Sequence, residues 1–426
     1  MSFLLRRVAS VRGWADRWSA ILPLLLAEFI IWLGFGSLLP VMPLYFTEHG
    51  VDLATLGVVT AAWPAARLVG EPIFGYLADR YPRVPLMVAG SIAYGIFTFL
   101  PLVLIGPTAF IALRALQGLS AAAYDPAARG YITDATPSDR RGEAFGLYGA
   151  AQMGGLLFGP AIGGLGAVAF GGIAFVFVFG AISTFIAAAV VALRVREQPR
   201  LGVGQSGASF DATEFPARPI LVHGQDEATS GVSGLRNRLL LAAILINLGG
   251  NFAAGTYDVI WSLYLQSRGA GLELIGLTFA MFGLPNLLLS PYFGRRIDRG
   301  GLVGYIVVGG LAPAVTGILY TVMPDVAWAV PLILIEATGF AALTPALYAV
   351  VAAGSPAGRS STAQGVYGAF GTIGFVLASL VAGLAATGDL RVPFYIFSAV
   401  MLVCLVLGLA VGGRALGRVG GSSREL

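Results

Sequence analysis

The 426-residue chain is a succession of apolar runs, each about twenty residues long or longer, separated by short polar stretches. Such a run spans the hydrocarbon core of a bilayer as a helix, which satisfies its own backbone hydrogen bonds where water is absent. Only 11% of residues are charged, against roughly 25% in soluble domains, so a soluble fold would lack a polar shell. The expected fold class is all-α integral membrane, with twelve transmembrane helices. Their expected ranges are 21–46, 54–79, 84–105, 108–134, 142–168 and 170–194, then 238–265, 272–297, 302–323, 327–353, 361–387 and 390–413. The basic opening segment resembles a signal peptide, but the run after it is too long and lacks a small-residue cleavage site, so an uncleaved first span is expected. Trp14 and Trp18 are expected at headgroup level.

Arginine sets the expected orientation. All 26 basic residues are arginine. With the N-terminus inside, the inner loops carry Arg80, Arg83, Arg140, Arg141, Arg295, Arg296, Arg299 and Arg359, whereas the outer loops carry only Arg268 and Arg391. This asymmetry follows the positive-inside rule, and an even number of spans returns both termini to the cytoplasm of a plasma (inner) membrane protein. The net charge of +4 therefore reflects topology, and no nucleic-acid partner is expected. Cys404 is the single cysteine, and His49 and His223 fall in separate loops, so no disulfide, metal site or cofactor is expected.

The two halves repeat at an offset of 219, without gaps. Tyr45, Gly50, Gly57 and Pro72 map onto Tyr264, Gly269, Gly276 and Pro291; Gly146, Tyr148 and Gly155 map onto Gly365, Tyr367 and Gly374. The expected organisation is an N-terminal segment 1–20, a six-helix bundle 21–194, a Gly/Ser/Pro-rich cytoplasmic linker 195–237, a second six-helix bundle 238–413 and a tail 414–426. Two like-oriented, pseudo-symmetric bundles are the sequence signature of a parallel-repeat transporter, which binds substrate between halves that rock about it.

Three motifs then carry a family resemblance over essentially the whole chain. GYLADRYPR, residues 75–83, is similar to the loop motif of the major facilitator superfamily, with Pro82 in place of its second glycine. RALQGLSAA, 114–122, is similar to the family's fourth-span motif, with Ser120 at a glycine position. Gly146, Gly155, Gly159, Pro160, Gly163 and Gly164 match the fifth-span motif of its twelve-helix drug:proton antiporters. The resemblance implies that Arg114 takes part in proton coupling. It also implies that Gly75, Asp79, Arg80, Arg83 and Asp134, with the repeat equivalents Asp298 and Arg299, form a gating network in which Asp79 meets the start of span eleven.

Gly155, Gly159 and Gly163 recur every fourth residue and leave one helix face without side chains, inviting close approach by another backbone. Pro160 permits a bend, so the expectation is a flexible helix at the seam between halves. Plain tight packing is the alternative.

An ionisable group within a span costs about 2.5–3.5 kcal/mol on insertion scales, so each one needs a reason. Arg114, Gly118, Ala121 and Asp125 share one face of span four, with the two charges about 16 Å apart along the axis. Glu28 shares a face of span one with Trp32 and Phe35, an arrangement suited to a proton or a lipophilic cation. Glu336 stands at the repeat position of Gln117, and Asn247, Asn251 and Asp258 share a face of span seven. The proton-coupling candidates are thus Glu28, Arg114, Asp125 and Glu336; the cavity candidates are Trp32, Phe35, Gln117, Asn247, Asn251 and Asp258. The bland alternatives are ion pairs, Asp125 with Arg129 and Arg67 with Glu71.

The expected function is secondary transport: a proton-coupled exporter of lipophilic or cationic small molecules, functional as a monomer. Proton-coupled uptake of a nutrient is the alternative on the same fold. A membrane-embedded enzyme would need clustered catalytic or metal-ligating side chains, which the sequence does not supply.

Overall fold

In the computed structural model, residues 17–137, 140–198, 237–297, 299–355 and 360–419 are described, and among them there is no strand. Helices occupy every expected span: Leu53–Arg80, Arg83–Phe99, Pro107–Ala135, Arg141–Ala169 and Ala174–Arg194 follow the first, and Arg238–Ser267, Leu272–Ile297, Leu302–Val322, Ala329–Gly354, Ser360–Ala386 and Val392–Val419 form the second set. The first span is two helices, Leu22–Leu38 and Met42–Glu48, bent by 44°. Pro40 lies in the break and Pro43 opens the second piece; a proline lacks the amide needed to continue the ladder.

Ten of these helices are individually long and apolar enough to cross a membrane, and the bent pair makes an eleventh. The fourth, Pro107–Ala135, has the length, 29 residues, but is lower in apolarity because it carries Arg114, Asp125, Arg129 and Asp134. Trp18, just before the first helix, is buried at 4% exposure among Leu24, Tyr124 and Tyr131; Trp14 lies outside the described residues.

Packing reproduces the repeat. Span one packs on five and six, two on four, and three on four and six; span seven packs on eleven and twelve, eight on ten, and nine on ten and twelve. Individual contacts repeat as well. The Tyr45 hydroxyl donates to Pro101 O at 3.0 Å, and its equivalent, the Tyr264 hydroxyl, donates to Tyr320 O at 2.7 Å. The turns that follow each use a left-handed glycine, Gly50 at φ 84° and Gly269 at φ 89°.

The two six-helix groups meet chiefly along two seams, span two against eleven and span five against eight. Each seam is closed by a glycine pair at the arginine-poor end. A Cβ on Gly383 would stand 2.7 Å from Gly57 Cα, and one on Gly276 would stand 3.1 Å from Gly164 Cα and 2.5 Å from Pro160 O. The pairs are repeat equivalents, since 57 and 164 become 276 and 383 at the offset of 219. At the arginine-rich end, a Cβ on Gly146, Gly149, Gly365 or Gly368 would meet nothing within 4 Å. Among the described residues, the close glycine contacts between the halves therefore lie at the arginine-poor end.

This corrects the reading of the glycine stripe. Gly155, Gly159 and Gly163 do not face the seam. They lie against the backbone of span one, at Phe29, Leu33, Gly36 and Ser37, inside their own half. Of the motif residues, Gly164 and the Pro160 carbonyl reach span eight, and Leu157 between the stripe glycines packs against Gly283.

Candidate functional site

Glu28 is fully buried, and its Oε1 accepts from Trp32 Nε1 at 2.9 Å and Gln152 Nε2 at 2.6 Å. Trp32 lies one helical turn along the same span, as the sequence indicates, and its ring meets Phe35 edge-on at 5.4 Å. Gln152 comes from span five; it lies in the glycine-rich motif but was hidden from a reading that looked for charge. Tyr124 and Tyr148 also face Glu28. Every group bonded to this carboxyl is neutral.

Asp125 is differently placed. Its partner is not Arg129 but Arg67 of span two, at 2.5 Å. Arg67 also donates from Nε to Glu71 at 2.7 Å, the pair expected from the i, i+4 spacing, and Arg129 approaches Glu71 at 3.7 Å. Two acids and two arginines thus form one network. The helix spacing shows only pairs along a single span, whereas the close contact of spans two and four selects the cross-helix pair.

Arg114, 4% exposed, donates to Gln117 Oε1 at 3.1 Å, and Gln117 Nε2 in turn donates to Phe97 O and the Thr98 hydroxyl of span three. Trp63, absent from the sequence-based candidates, lies between two guanidiniums, Arg67 at 5.3 Å and Arg114 at 5.8 Å from its ring centroid, and stacks on Phe35. Asp258, in the other half, lies within coulombic reach of Arg114.

Glu336 is 1% exposed and held by tyrosines: Tyr257 donates at 2.8 Å to Oε1, and Tyr320 at 2.7 Å to Oε2. Trp261, Phe394 and Phe397 close around these rings. Asn247 donates to Tyr367 O at 2.9 Å and so joins span seven to span eleven, whereas Asn251 donates to Asn247 Oδ1 at 2.9 Å within span seven.

In the loop motif, Arg83 is the centre. It bonds Asp134 at 2.6 Å, lies 4.0 Å from Asp79, and packs on Gly130 so closely that a Cβ there would stand 2.7 Å from its Cζ. Asp79 has an 82% exposed side chain. Its expected contact with the start of span eleven involves residues outside those described, as does Asp298. Arg80 bonds the Tyr76 hydroxyl at 3.0 Å, Arg299 is exposed, and Gly75 meets only Pro126, as Gly294 meets Pro345. Glu197, just past span six, accepts from the Arg83 and Val84 amides at 2.9 Å each, so the beginning of the expected linker caps span three.

The charges within the spans do not balance. Asp125 and Glu71 share Arg67 and Arg129, and Asp258 faces Arg114. Glu28 and Glu336, one in each half, have no basic partner among the described residues.

Comparison with known proteins agrees with this architecture. A sequence profile described as Major Facilitator Superfamily matches residues 24–339 and 252–418. Quinolone resistance protein NorA of Staphylococcus aureus is 24% identical over 394 residues, 89% of this chain and 93% of that protein. Multidrug resistance protein 1 of Bacillus subtilis is 26% identical over 395 residues, covering 90% and 93%. A bacterial homologue of the human lysosomal transporter Spinster, solved in an inward-facing and occupied conformation, superposes with a TM-score of 0.75 at 16% identity, covering 92% and 96%.

Proposed function

The chain belongs to the major facilitator superfamily and is a multi-pass membrane transporter, and on that premise we propose that it exports lipophilic or cationic small molecules in exchange for protons. The observation that carries this reading is Glu28: a carboxyl buried within a span, bonded only by the neutral donors Trp32 and Gln152. A buried anion without a counter-ion is costly. Either a proton or a cationic cargo supplies the missing positive charge, and a group that accepts one or the other couples their movements.

The arginine-rich end is the cytoplasmic face of a plasma membrane, and the chain works as a monomer. The arginine-poor end is then external, so the glycine pairs hold an inward-open state. Cargo enters from the cytoplasm, the halves rock, and a proton arriving from outside displaces the cargo. Glu336, clamped by Tyr257 and Tyr320, serves as a second proton acceptor in the other half. The names of the bacterial relatives, quinolone and multidrug resistance proteins, favour a drug-like cargo.

Reconstitution in proteoliposomes with an imposed pH gradient tests the direction. Export predicts that an aromatic cation such as ethidium moves against the proton flow. Movement of cargo with the protons would mean uptake instead and would end this reading.

A further inference from the structure

Glu28 is 0% exposed, so any proton it exchanges must pass through neighbouring side chains. Inside the first six-helix group lies a cavity of about 40 Å³, lined by Trp32, Trp63, Tyr94, Ser120, Tyr124 and Asp125 among others. Drug-sized ligands need pockets of roughly 300–1,000 Å³, whereas a space of this size takes roughly two or three waters. Tyr94 and Tyr124 are 7% and 4% exposed, and both hydroxyls are buried without a closed hydrogen bond, as is Trp63 Nε1. The Tyr94 hydroxyl faces Trp63 and lies within coulombic reach of Arg114, Arg67 and Asp125. Tyr124 faces Glu28, whose Oε2 is likewise buried and unbonded.

We propose that this cavity is a water-binding proton-transfer site through which Glu28 exchanges its proton with the Arg114 side of the protein. The inference rests on the reading of Glu28 as the coupling carboxyl. A Cβ on Gly90 would stand 2.9 Å from Ser120 O and 3.2 Å from Tyr124 N, so Tyr94, one turn further along span three, lies nearer the arginine-poor end, while Tyr124 faces Glu28. Water in the space between them has polar partners at both ends, as a buried water requires.

The transfer needs no co-reactant. An incoming proton forms an O–H bond on a cavity water; that water passes one of its protons to the Tyr124 oxygen; the Tyr124 O–H bond breaks as a new O–H bond forms on Glu28 Oε2. One proton moves and each oxygen between regains its starting valence. The groups facing Glu28 throughout are Trp32 from its own span, Tyr124 and Asp125 from span four, and Tyr148 and Gln152 from span five.

The test compares Tyr124→Phe, Tyr94→Phe and the double variant with wild type and Glu28→Gln, all full-length in proteoliposomes, using ethidium as probe. Removing a relay hydroxyl is expected to slow export driven by the pH gradient about tenfold or more, while ethidium affinity stays within about twofold, because proton delivery and not cargo contact is lost. Affinity reports that the variants are folded. Wild-type rates in all three tyrosine variants beside an inactive Glu28→Gln would overturn the water path and leave the role of Glu28 standing. Wild-type rates in Glu28→Gln would overturn the reading of the carboxyl itself, and the path with it.

Discussion

Glu28 and Gln152, 124 positions apart in sequence, meet at 2.6 Å and place a carboxyl against a primary amide inside the bilayer-spanning bundle. The contact crosses the glycine-lined approach of spans one and five. Because Gly155 carries no Cβ, the helix bearing Gln152 comes close enough for its amide to reach Glu28. The glycine stripe therefore has a function different from the one its spacing suggests: it positions a polar group within a half, while the seams between halves rest on other glycines.

Substituting Gln152 separates positioning from coupling. Gln152→Leu leaves Glu28 with Trp32 as its only bonded donor, at 2.9 Å. Losing one hydrogen bond to a buried charged group costs about 1.5–3 kcal/mol. The expected result is pH-dependent export whose acidic limb shifts upward, since the anionic form loses a stabilising donor. A pH–rate profile between pH 5 and 9 reads the shift, and Gln152→Asn, which retains the amide, is expected to fall between the two.

At the seams, an added methyl group should act on conformation. Gly276→Ala places a Cβ 2.5 Å from Pro160 O, and backbone cannot yield as a side chain can. Overpacking of this kind costs about 1–3 kcal/mol, which changes the ratio of the two states by roughly 5- to 150-fold. Gly57→Ala should behave alike, because its repeat-related contact is the same. Spin labels on Glu48 and Asp389 would report the distance across the arginine-poor end. A longer distance population is expected in both variants, and an unchanged distribution would contradict the seam as a lock.

The network of Arg67, Asp125, Glu71 and Arg129 should behave as structure rather than as a carrier. Arg67→Met strands Asp125, leaves Glu71 with Arg129 at 3.7 Å, and is expected to cost about 3 kcal/mol, the lower limit for breaking buried pairs, because the Arg67 and Asp125 side chains are 23% and 12% exposed. Asp125→Asn should cost less, since Arg67 keeps Glu71 at 2.7 Å. Thermal unfolding in detergent measures both, and the double variant Arg67→Met with Asp125→Asn should recover part of the loss.

Glu197 offers a local test. Its carboxylate accepts both first amides of span three, and Glu197→Ala should cost about 0.5–1 kcal/mol in that exposed setting. Faster hydrogen exchange at Arg83 and Val84, with transport little changed, is the expected readout.

How much of this was legible in the sequence follows from the range of each signal. Apolar runs and the 219-residue offset are one-dimensional and reappear as helices and repeated packing, down to paired bonds such as Tyr45 to Pro101 and Tyr264 to Tyr320. Contacts along one helix, Trp32 with Glu28 and Arg67 with Glu71, also follow from the 3.6-residue period. What crosses helices does not. Asp125 chose Arg67 over Arg129, and Glu336 found Tyr257 and Tyr320, because packing angles decide which faces meet and one sequence does not encode those angles locally. Trp63 and Tyr94 carry no charge, so nothing in a search for ionisable residues marked them.

The central claim, that Glu28 holds either a proton or cargo, is tested most directly by counting protons. Purified transporter in weakly buffered detergent solution, with a pH indicator, is mixed with a saturating lipophilic cation such as ethidium. The wild type should release protons as the cation binds, and Glu28→Gln should release about one fewer per molecule bound. Equal release from both proteins, or none from the wild type at any pH between 6 and 8, would contradict the account.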